Sequence, residues 1–261
     1  MTWIDALILG IVQGLTEFLP VSSSGHLEIG KALLNINPDE NLTFTVVVHG
    51  ATVLSTILVF YSEIFKLIKE GIFKKYNEST AYILKIALSM VPVLFVGLFL
   101  EEKVSALFDG NLAIVGSMLL VTGILLGLTR LMKKEGEKDI SFRDALIIGI
   151  AQAVAVLPGL SRSGSTIATG ILLGNKRADV ARFSFLMVLV PIIGANMLEI
   201  FRGDMSASDN LPVTVLLVGF VAAFTTGFFA CKWMINLVKK GNLIYFSIYC
   251  LLLGISALIF A

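Results

Sequence analysis

The chain has 261 residues, of which 56% are apolar and 15% charged, and its mean hydropathy of +0.90 excludes a water-soluble domain. Twenty Lys and Arg against nineteen Asp and Glu leave a formal charge of +1, so there is no basic surface for nucleic acid. The two cysteines, Cys231 and Cys250, lie in apolar stretches without His or Cys at ligand spacing, which argues against a zinc site and a disulfide scaffold.

The start, Met-Thr-Trp-Ile-Asp, lacks the basic residues of a secretory signal, so the N-terminus is expected to stay on the mature protein. Residues 6–27 are apolar but interrupted by Glu17 and Pro20, leaving two pieces too short to cross a bilayer. This predicts a re-entrant helical hairpin, whose irregular backbone must be satisfied by protein or water. Three spans follow, at 41–62, at 79–100 with Lys85 near one end, and at 110–129. Residues 145–175, broken by Pro158, Gly159 and Arg162, predict a second hairpin. The last three spans are 183–201, with Glu199 near its end, 210–231 and 241–261. Lys85 and Glu199 read as interfacial charges. The expected fold is one all-α integral membrane domain, residues 1–261, with six spans and two re-entrant hairpins.

The chain is internally repeated. Asp5-Ala6-Leu7-Ile8 with Gly10, Ile11 and Gln13 recurs 139 residues later as Asp144-Ala145-Leu146-Ile147 with Gly149, Ile150 and Gln152. The register continues through the breaks, pairing Ser22, Ser24 and Gly25 with Ser161, Ser163 and Gly164, and Thr2 with Ser141 as capping residues. Two halves, about 1–132 and 140–261, each hold a hairpin and three spans, and an odd number of spans inserts the copies in opposite senses. The expected architecture is an inverted repeat. Segments 62–80, 130–143, 174–182 and 232–242 carry fifteen Lys or Arg, against Lys31, Lys103 and Arg202 on the other side. The positive-inside rule then puts both termini outside and lets the hairpins enter from opposite faces.

The second tip, Pro158-Gly159-Leu160-Ser161-Arg162-Ser163-Gly164-Ser165-Thr166, breaks one helix and starts another with hydroxyl residues. A helix N-terminus, the donors of Ser161, Ser163 and Thr166, and the planar fork of Arg162 make an anion site. An Arg at this depth costs roughly 2.5–3.5 kcal/mol on insertion scales and needs a partner. Its alternative role is to bond backbone carbonyls of its own hairpin. The first tip carries Glu17 and His26, with Ser22, Ser23 and Ser24 between them. At the offset of 139, Glu17 faces Val156, His26 faces Ser165 and Arg162 faces Ser23. The copies have diverged in a complementary way, which suggests one composite site: a phosphate clamp on the second tip, with proton transfer, attack or metal binding on the first. A buried Glu17–Arg162 ion pair stapling the hairpins is the plainer reading. Gln13, four residues before Glu17, shares its helix face, although Gln152 in the other copy points to a shared structural role. His49, inside a span, reads as a hydrogen-bonded structural residue. Gly50, Gly97, Gly116, Gly123, Gly127, Gly219 and Gly227 read as sites of close helix contact.

With Gln13, Glu17, Pro20-Val21-Ser22-Ser23 and His26, and with Pro158, Gly159, Ser161, Arg162, Ser163 and Thr166, the chain resembles the undecaprenyl-diphosphate phosphatase (bacitracin-resistance) family along nearly its whole length. The resemblance implies hydrolysis of the terminal phosphoanhydride of a polyprenyl diphosphate, recycling of the lipid carrier for cell-wall glycans, and a site open to the outer face of the cell membrane. It further implies a divalent cation, Mg or Ca, and bacitracin resistance through competition for the substrate. A homodimer is compatible with it. Where many members have two carboxylates this chain has Gln13 and Glu17, leaving Glu17 the principal metal ligand or base, with Gln13 beside it. Ser22, Ser24, Ser161, Arg162, Ser163 and Thr166 are expected to bind phosphate, and Arg162 to stabilise the transition state. The expected nucleophile is Ser23 activated by His26; Ser22, Ser24, His26 itself or a metal-bound water are the alternatives, with Glu17 as alternative base. The rival function is an inverted-repeat transporter or flippase for a phosphorylated lipid or anion, since broken helices pointing at a midplane anion also serve transport.

Overall fold

A computed structural model describes residues 1–36, 42–72, 75–100, 103–104, 107, 111–132, 136–202 and 211–261, the side chains of 42 and 199–202 excepted. Its described elements are helices, joined by one isolated bridge between Lys138 and Asn175. Two helical hairpins stand where the sequence places its broken segments. In the first, α1 (Trp3–Phe18) starts with a capping box between Thr2 and Asp5. It stops at Leu19, which Pro20 forces into extended backbone at φ −71°, ψ 144°. The return helix α2 (Ser23–Leu33) begins at Ser22. The second hairpin repeats the plan. Helix α7 (Phe142–Val154) opens on a Ser141–Asp144 capping box and α8 (Arg162–Leu172) on a Ser161 cap.

Between and after the hairpins come α3 (Leu42–Val59), α4 (Tyr61–Gly71), α5 (Glu78–Phe99), α6 (Leu112–Leu128), α9 (Arg177–Met187), α10 (Leu189–Arg202), α11 (Val213–Lys240) and α12 (Ile244–Ile259). Among the described residues four stretches are long and apolar enough to cross a membrane: Glu78–Phe99, Leu112–Leu131, Arg177–Leu198 and Val213–Lys240. A fifth, Thr43–Val59 with Tyr61–Gly71, qualifies only as a pair bent by 73°. The run expected at 241–261 is the 16-residue α12, shorter than the roughly 20 residues that a bilayer core asks of a helix. Residues 41, 110 and 210, where three predicted spans begin, lie outside the described residues, as do the predicted connection residues Lys74, Lys133 and Lys134. The run expected at 183–201 is two helices meeting at Val188. Pro191 explains the junction: it cannot donate to Met187, and its ring collides with that carbonyl, so α9 ends there.

Each hairpin packs on a long helix from the other half of the chain, α1 on α11 and α7 on α5. Glycines permit the approach. A Cβ on Gly10 would lie 2.6 Å from the Gly219 carbonyl oxygen, and one on Gly149 would lie 2.8 Å from Ser89 Cα. Helices α6 and α12 meet through Gly116 and Gly254. Gly123, Gly127, Gly219 and Gly227 are close-contact positions, as the sequence suggests. Gly97 is not, since nothing would stand within 4 Å of its Cβ, and Gly50 has only an ordinary 3.6 Å neighbour. Cys231 and Cys250 are both free and buried in the core. The core also holds Phe18, Phe60 and Phe185, with the Phe18 and Phe185 rings edge to face at 5.9 Å. The Phe60 ring packs in turn on Phe185, centroids 6.2 Å apart.

Candidate active site

The tips of the two hairpins touch. Ser163 Oγ donates to the Leu19 carbonyl at 3.2 Å, and a Cβ on Gly164 would lie 3.3 Å from the Pro20 carbonyl oxygen. In the reverse sense a Cβ on Gly25 would lie 3.2 Å from Gly159 Cα. Gly159 itself turns the second tip at φ 89°, where an added Cβ would strike the backbone of Val115. Thr122 of α6 braces this turn by accepting from the Ser161 amide at 2.9 Å.

At the seam the Glu17 carboxylate, 6% exposed, meets the Arg162 guanidinium on its Oε1. Its Oε2 accepts from Ser23 Oγ at 2.6 Å and from Gln13 Nε2 at 3.0 Å. His49 Nε2 stands 3.9 Å from the same oxygen. Depth explains the crowding, because a charge withdrawn from water persists only where donors and a counter-charge replace its hydration. Arg162, with its side chain 29% exposed, spends one corner of its fork on Glu17 and has further N–H groups for a ligand. Glu17, Arg162 and Ser163 line a narrow open cleft. Thr52, Thr56 and Ser184 add hydroxyls to its wall, and Phe18, Val53, Phe185, Val188 and Ile192 make the rest apolar.

The other predicted residues divide between the seam and its supports. Ser22 and Ser161 are buried helix caps whose Oγ atoms accept from the Gly25 and Gly164 amides, at 3.2 and 3.0 Å. Ser24 and Ser163 sit beside them, at 3.3 and 3.4 Å from the cap hydroxyls. Thr166, expected to bind phosphate, does not line the cleft. It is buried, its hydroxyl 2.9 Å from the Arg162 carbonyl and 2.6 Å from Ser184 Oγ, so that it tethers Ser184, which does line it. The expected Ser23–His26 pairing is also not the one present. Ser23 donates to Glu17, whereas His26 Nδ1 meets the Ser22 carbonyl and its Nε2 meets Tyr249 OH, both at 2.7 Å. Tyr249 stacks on the imidazole, ring centroids 5.6 Å apart. His49 and Tyr249, like the cleft hydroxyls Thr52, Thr56 and Ser184, are residues that spacing along the chain missed, since each reaches the site across the fold rather than along one helix.

Among the described residues no three of His, Cys, Asp and Glu gather in reach of one ion. The oxygen donors that fit a hard cation are the Glu17 carboxylate and Gln13, whose Oε1 is fully buried without a hydrogen-bond partner. A cation held there would draw its remaining ligands from phosphate and water.

Residues 6–256 match the family model described as bacitracin resistance protein BacA. A protein of Bacteroides fragilis named undecaprenyl-diphosphatase is 53% identical over 263 aligned residues, covering 99% of this chain and 98% of that protein. One of Parabacteroides distasonis, of the same name, is 54% identical over 98% of this chain and 97% of its own length. Undecaprenyl-diphosphatase 1 of Bacillus licheniformis is 35% identical over 99% and 98%. A cleft built where two repeated hairpins meet, in a chain alike from end to end to these proteins, leaves no doubt of kinship: the chain belongs to the BacA bacitracin resistance family.

Proposed function

We propose that the protein is an integral membrane phosphatase that hydrolyses the terminal phosphoanhydride of undecaprenyl diphosphate, releasing inorganic phosphate and the monophosphate carrier for another round of cell-wall glycan synthesis. The observation that carries the reading is the Glu17–Arg162 contact at the seam, with Ser23 on the same carboxylate and an apolar wall beside it. The names of the relatives support the same substrate. The terminal phosphate sits at the N-terminus of α8, where the helix dipole and the fork of Arg162 face the charge that develops on its oxygens. The prenyl chain leaves along Phe18, Val53, Phe185 and Ile192.

Arg162 contacts Glu17. A phosphate competes for the guanidinium and frees the carboxylate as a base for the hydroxyl already hydrogen-bonded to it, 2.6 Å away. Ser23 Oγ then attacks the terminal phosphorus as its proton passes to Glu17. The bridging P–O bond breaks, and its electron pair leaves with the carrier monophosphate. Water hydrolyses the phosphoserine with the same carboxyl group shuttling the proton. His26, held by Ser22 and Tyr249, orients the start of α2 rather than activating Ser23. Glu17 and Gln13 would hold a divalent cation, Mg or Ca, which would neutralise charge on the diphosphate.

The topology that serves this chemistry has six spans and two re-entrant hairpins in inverted halves, both termini outward, in the cell's inner membrane with the cleft open to the outer face. The packing of each hairpin on a helix of the other half and the lysine-rich connections support it. Bacitracin acts on this system by competing for the lipid diphosphate. The deciding experiment is phosphate release by detergent-purified protein from a long-chain polyprenyl diphosphate with Mg or Ca. Release that is lost in folded Arg162→Ala and Glu17→Ala variants, with label trapped on Ser23 after rapid quench, is the expected result. Binding of the lipid without any phosphate release would instead make the protein a lipid carrier.

A further inference from the structure

We propose that Ser184 holds the water that attacks phosphorus, and that Thr166 is the residue that positions Ser184 for it. The inference rests on the phosphatase reading above and gives a role to a wall of the same cleft. Ser184, Thr52 and Thr56 bring three hydroxyls to that wall, Ser184 from α9 and the threonines from successive turns on one face of α3. All three residues are almost fully buried, between 1 and 3% exposed. A hydroxyl has one hydrogen to give and two lone pairs to offer, so where each hydrogen goes decides what the wall can bind.

Thr52 Oγ1 donates to the His49 carbonyl at 2.8 Å, and Thr56 Oγ1 to the Thr52 carbonyl at 3.0 Å. Thr166 Oγ1 lies 2.9 Å from the Arg162 carbonyl oxygen and 3.2 Å from that of Ser163. Carbonyls only accept, so the Thr166 hydrogen stays with them, and the 2.6 Å contact with Ser184 is a bond that Ser184 donates. Every hydrogen on the wall is therefore spent inside the fold, and the cleft meets lone pairs there. Lone pairs repel the oxygens of a phosphate, which is held instead by the N–H groups of Arg162 and of the start of α8. What they accept is a donor, and water is the donor that this reaction consumes. Ser184 Oγ accepts one hydrogen of that water, and the Glu17 carboxylate, which lines the same cleft, accepts the other. In the second step the water oxygen bonds to the phosphorus of phosphoserine, and the bond to Ser23 Oγ breaks with its electron pair. Glu17 returns its earlier proton to Ser23 as it takes one from the water, and the proton it has taken then leaves to solvent. Ser23 comes from α2 and the wall from α3 and α9, so the entering and departing oxygens belong to different elements, as an in-line displacement asks.

Methanol competing with water reads how the attacking group is placed. The detergent-purified full chain is given a long-chain polyprenyl diphosphate in buffer with added methanol, and methyl phosphate is measured against inorganic phosphate. In Ser184→Ala we expect kcat to fall roughly three- to tenfold at unchanged KM, the size of one lost hydrogen bond, and the share of methyl phosphate to rise severalfold. Thr166→Val should move both in the same direction, and Thr166→Ser, which keeps the hydroxyl, should restore both. The share does not depend on how much protein folds, so a variant that is merely unstable leaves it at the parent value. An unchanged share in Ser184→Ala overturns the inference, and so does a raised KM at unchanged kcat, which would put phosphate on the wall. A share raised there but not in Thr166→Val overturns the part given to Thr166. No phosphate release from the parent protein defeats the phosphatase reading and this inference with it, whereas release with unaltered partition in the variants defeats the inference alone.

Discussion

The two hairpin tips are one frame carrying two chemistries. Each has a serine cap accepting from the amide three residues on, a second serine beside the cap, and a glycine against the opposite tip. They differ in where the backbone bends. The second tip places its left-handed residue at Gly159, φ 89°, whereas the first places it at Ser22, φ 68°. They differ too in charge, with the carboxylate on one and the guanidinium on the other. A duplicated anion-binding loop would hold phosphate twice and do nothing to it. In the proposed mechanism the first tip supplies the base and its hydroxyl and the second the clamp, which gives the paired cradle a direction.

The strongest way to break this division of labour is at the charges. Arg162→Lys retains a positive charge but loses the fork, and we expect phosphate release to fall by about 10²–10³ in kcat with modest loss of lipid binding, as for removal of one transition-state donor. Arg162→Ala should lose at least as much. Because it leaves Glu17 buried beside an empty corner, its thermal unfolding must be measured alongside. If the Lys variant kept full activity, Arg162 would be a staple between the hairpins and not part of the clamp.

The backbone difference between the tips gives the next largest effects, with opposite signs. Gly159→Ala puts a Cβ within 2.8 and 2.9 Å of the Val115 Cα and carbonyl carbon and forces an L-residue to positive φ. Destabilisation of roughly 2–4 kcal/mol is expected from the two terms together, read in detergent melting. Ser22→Gly removes a side chain from a conformation that costs about 1–3 kcal/mol in a non-glycine residue, while Gly at a cap costs only a few tenths of that unit. The variant should therefore melt higher than the parent. A lower melting temperature would mean that the Ser22 hydroxyl, through Gly25 and Ser24, is worth more than the strain.

Much of this was readable in the chain because the signals are local. Thr2–Asp5 and Ser141–Asp144 announce their capping boxes, and Pro20 and Gly159 mark the turns. The offset of 139 residues aligns the tips. What failed was also physical. The span expected at 183–201 lies within Arg177–Leu198, which is long and apolar enough to cross a membrane, but its junction at Val188, signalled by Pro191, is concealed by the continuous apolar run. The 73° bend after α3 has no proline or glycine at Phe60 to betray it. His49 and Tyr249 reach their partners from helices whose rotation about their own axes is set by tertiary packing, and residue types alone could not say which histidine faces Glu17.

A smaller effect tests the role left to His26. With Nδ1 donating to the Ser22 carbonyl, Nε2 accepts the Tyr249 hydroxyl. Tyr249→Phe keeps the stacked ring and deletes that one bond, worth about 0.5–1.5 kcal/mol. A severalfold drop in kcat with unchanged KM is expected if the orientation of α2 sets the position of Ser23. Loss comparable to that of the Arg162 variants would restore His26 to direct chemistry.

The smallest effect lies at the base of the second hairpin, where Lys176 Nζ meets Asp139 at 2.6 Å beside the Lys138–Asn175 bridge. The hydrogen bond from Lys176 holds the Asp139 carboxyl below its ordinary range, and the same contact raises the Lys176 ammonium. A lowered carboxyl stabilises the fold above its unfolded pKa and loses that contribution as pH falls through the lowered value, hence below about 4. A raised ammonium contributes below its ordinary range and loses that only in strong alkali. Between pH 5 and 9 the pair is therefore constant, and Asp139→Asn should shift the melting temperature by an amount that does not vary across that window. Full exposure keeps the shift near the limit of detection, and salt should shrink it further. The backbone bridge, not the charges, then closes the hairpin. A large shift that salt leaves intact would mean that the clamp carrying Arg162 is held by its charged base as well as by Thr122 and the Gly159 turn.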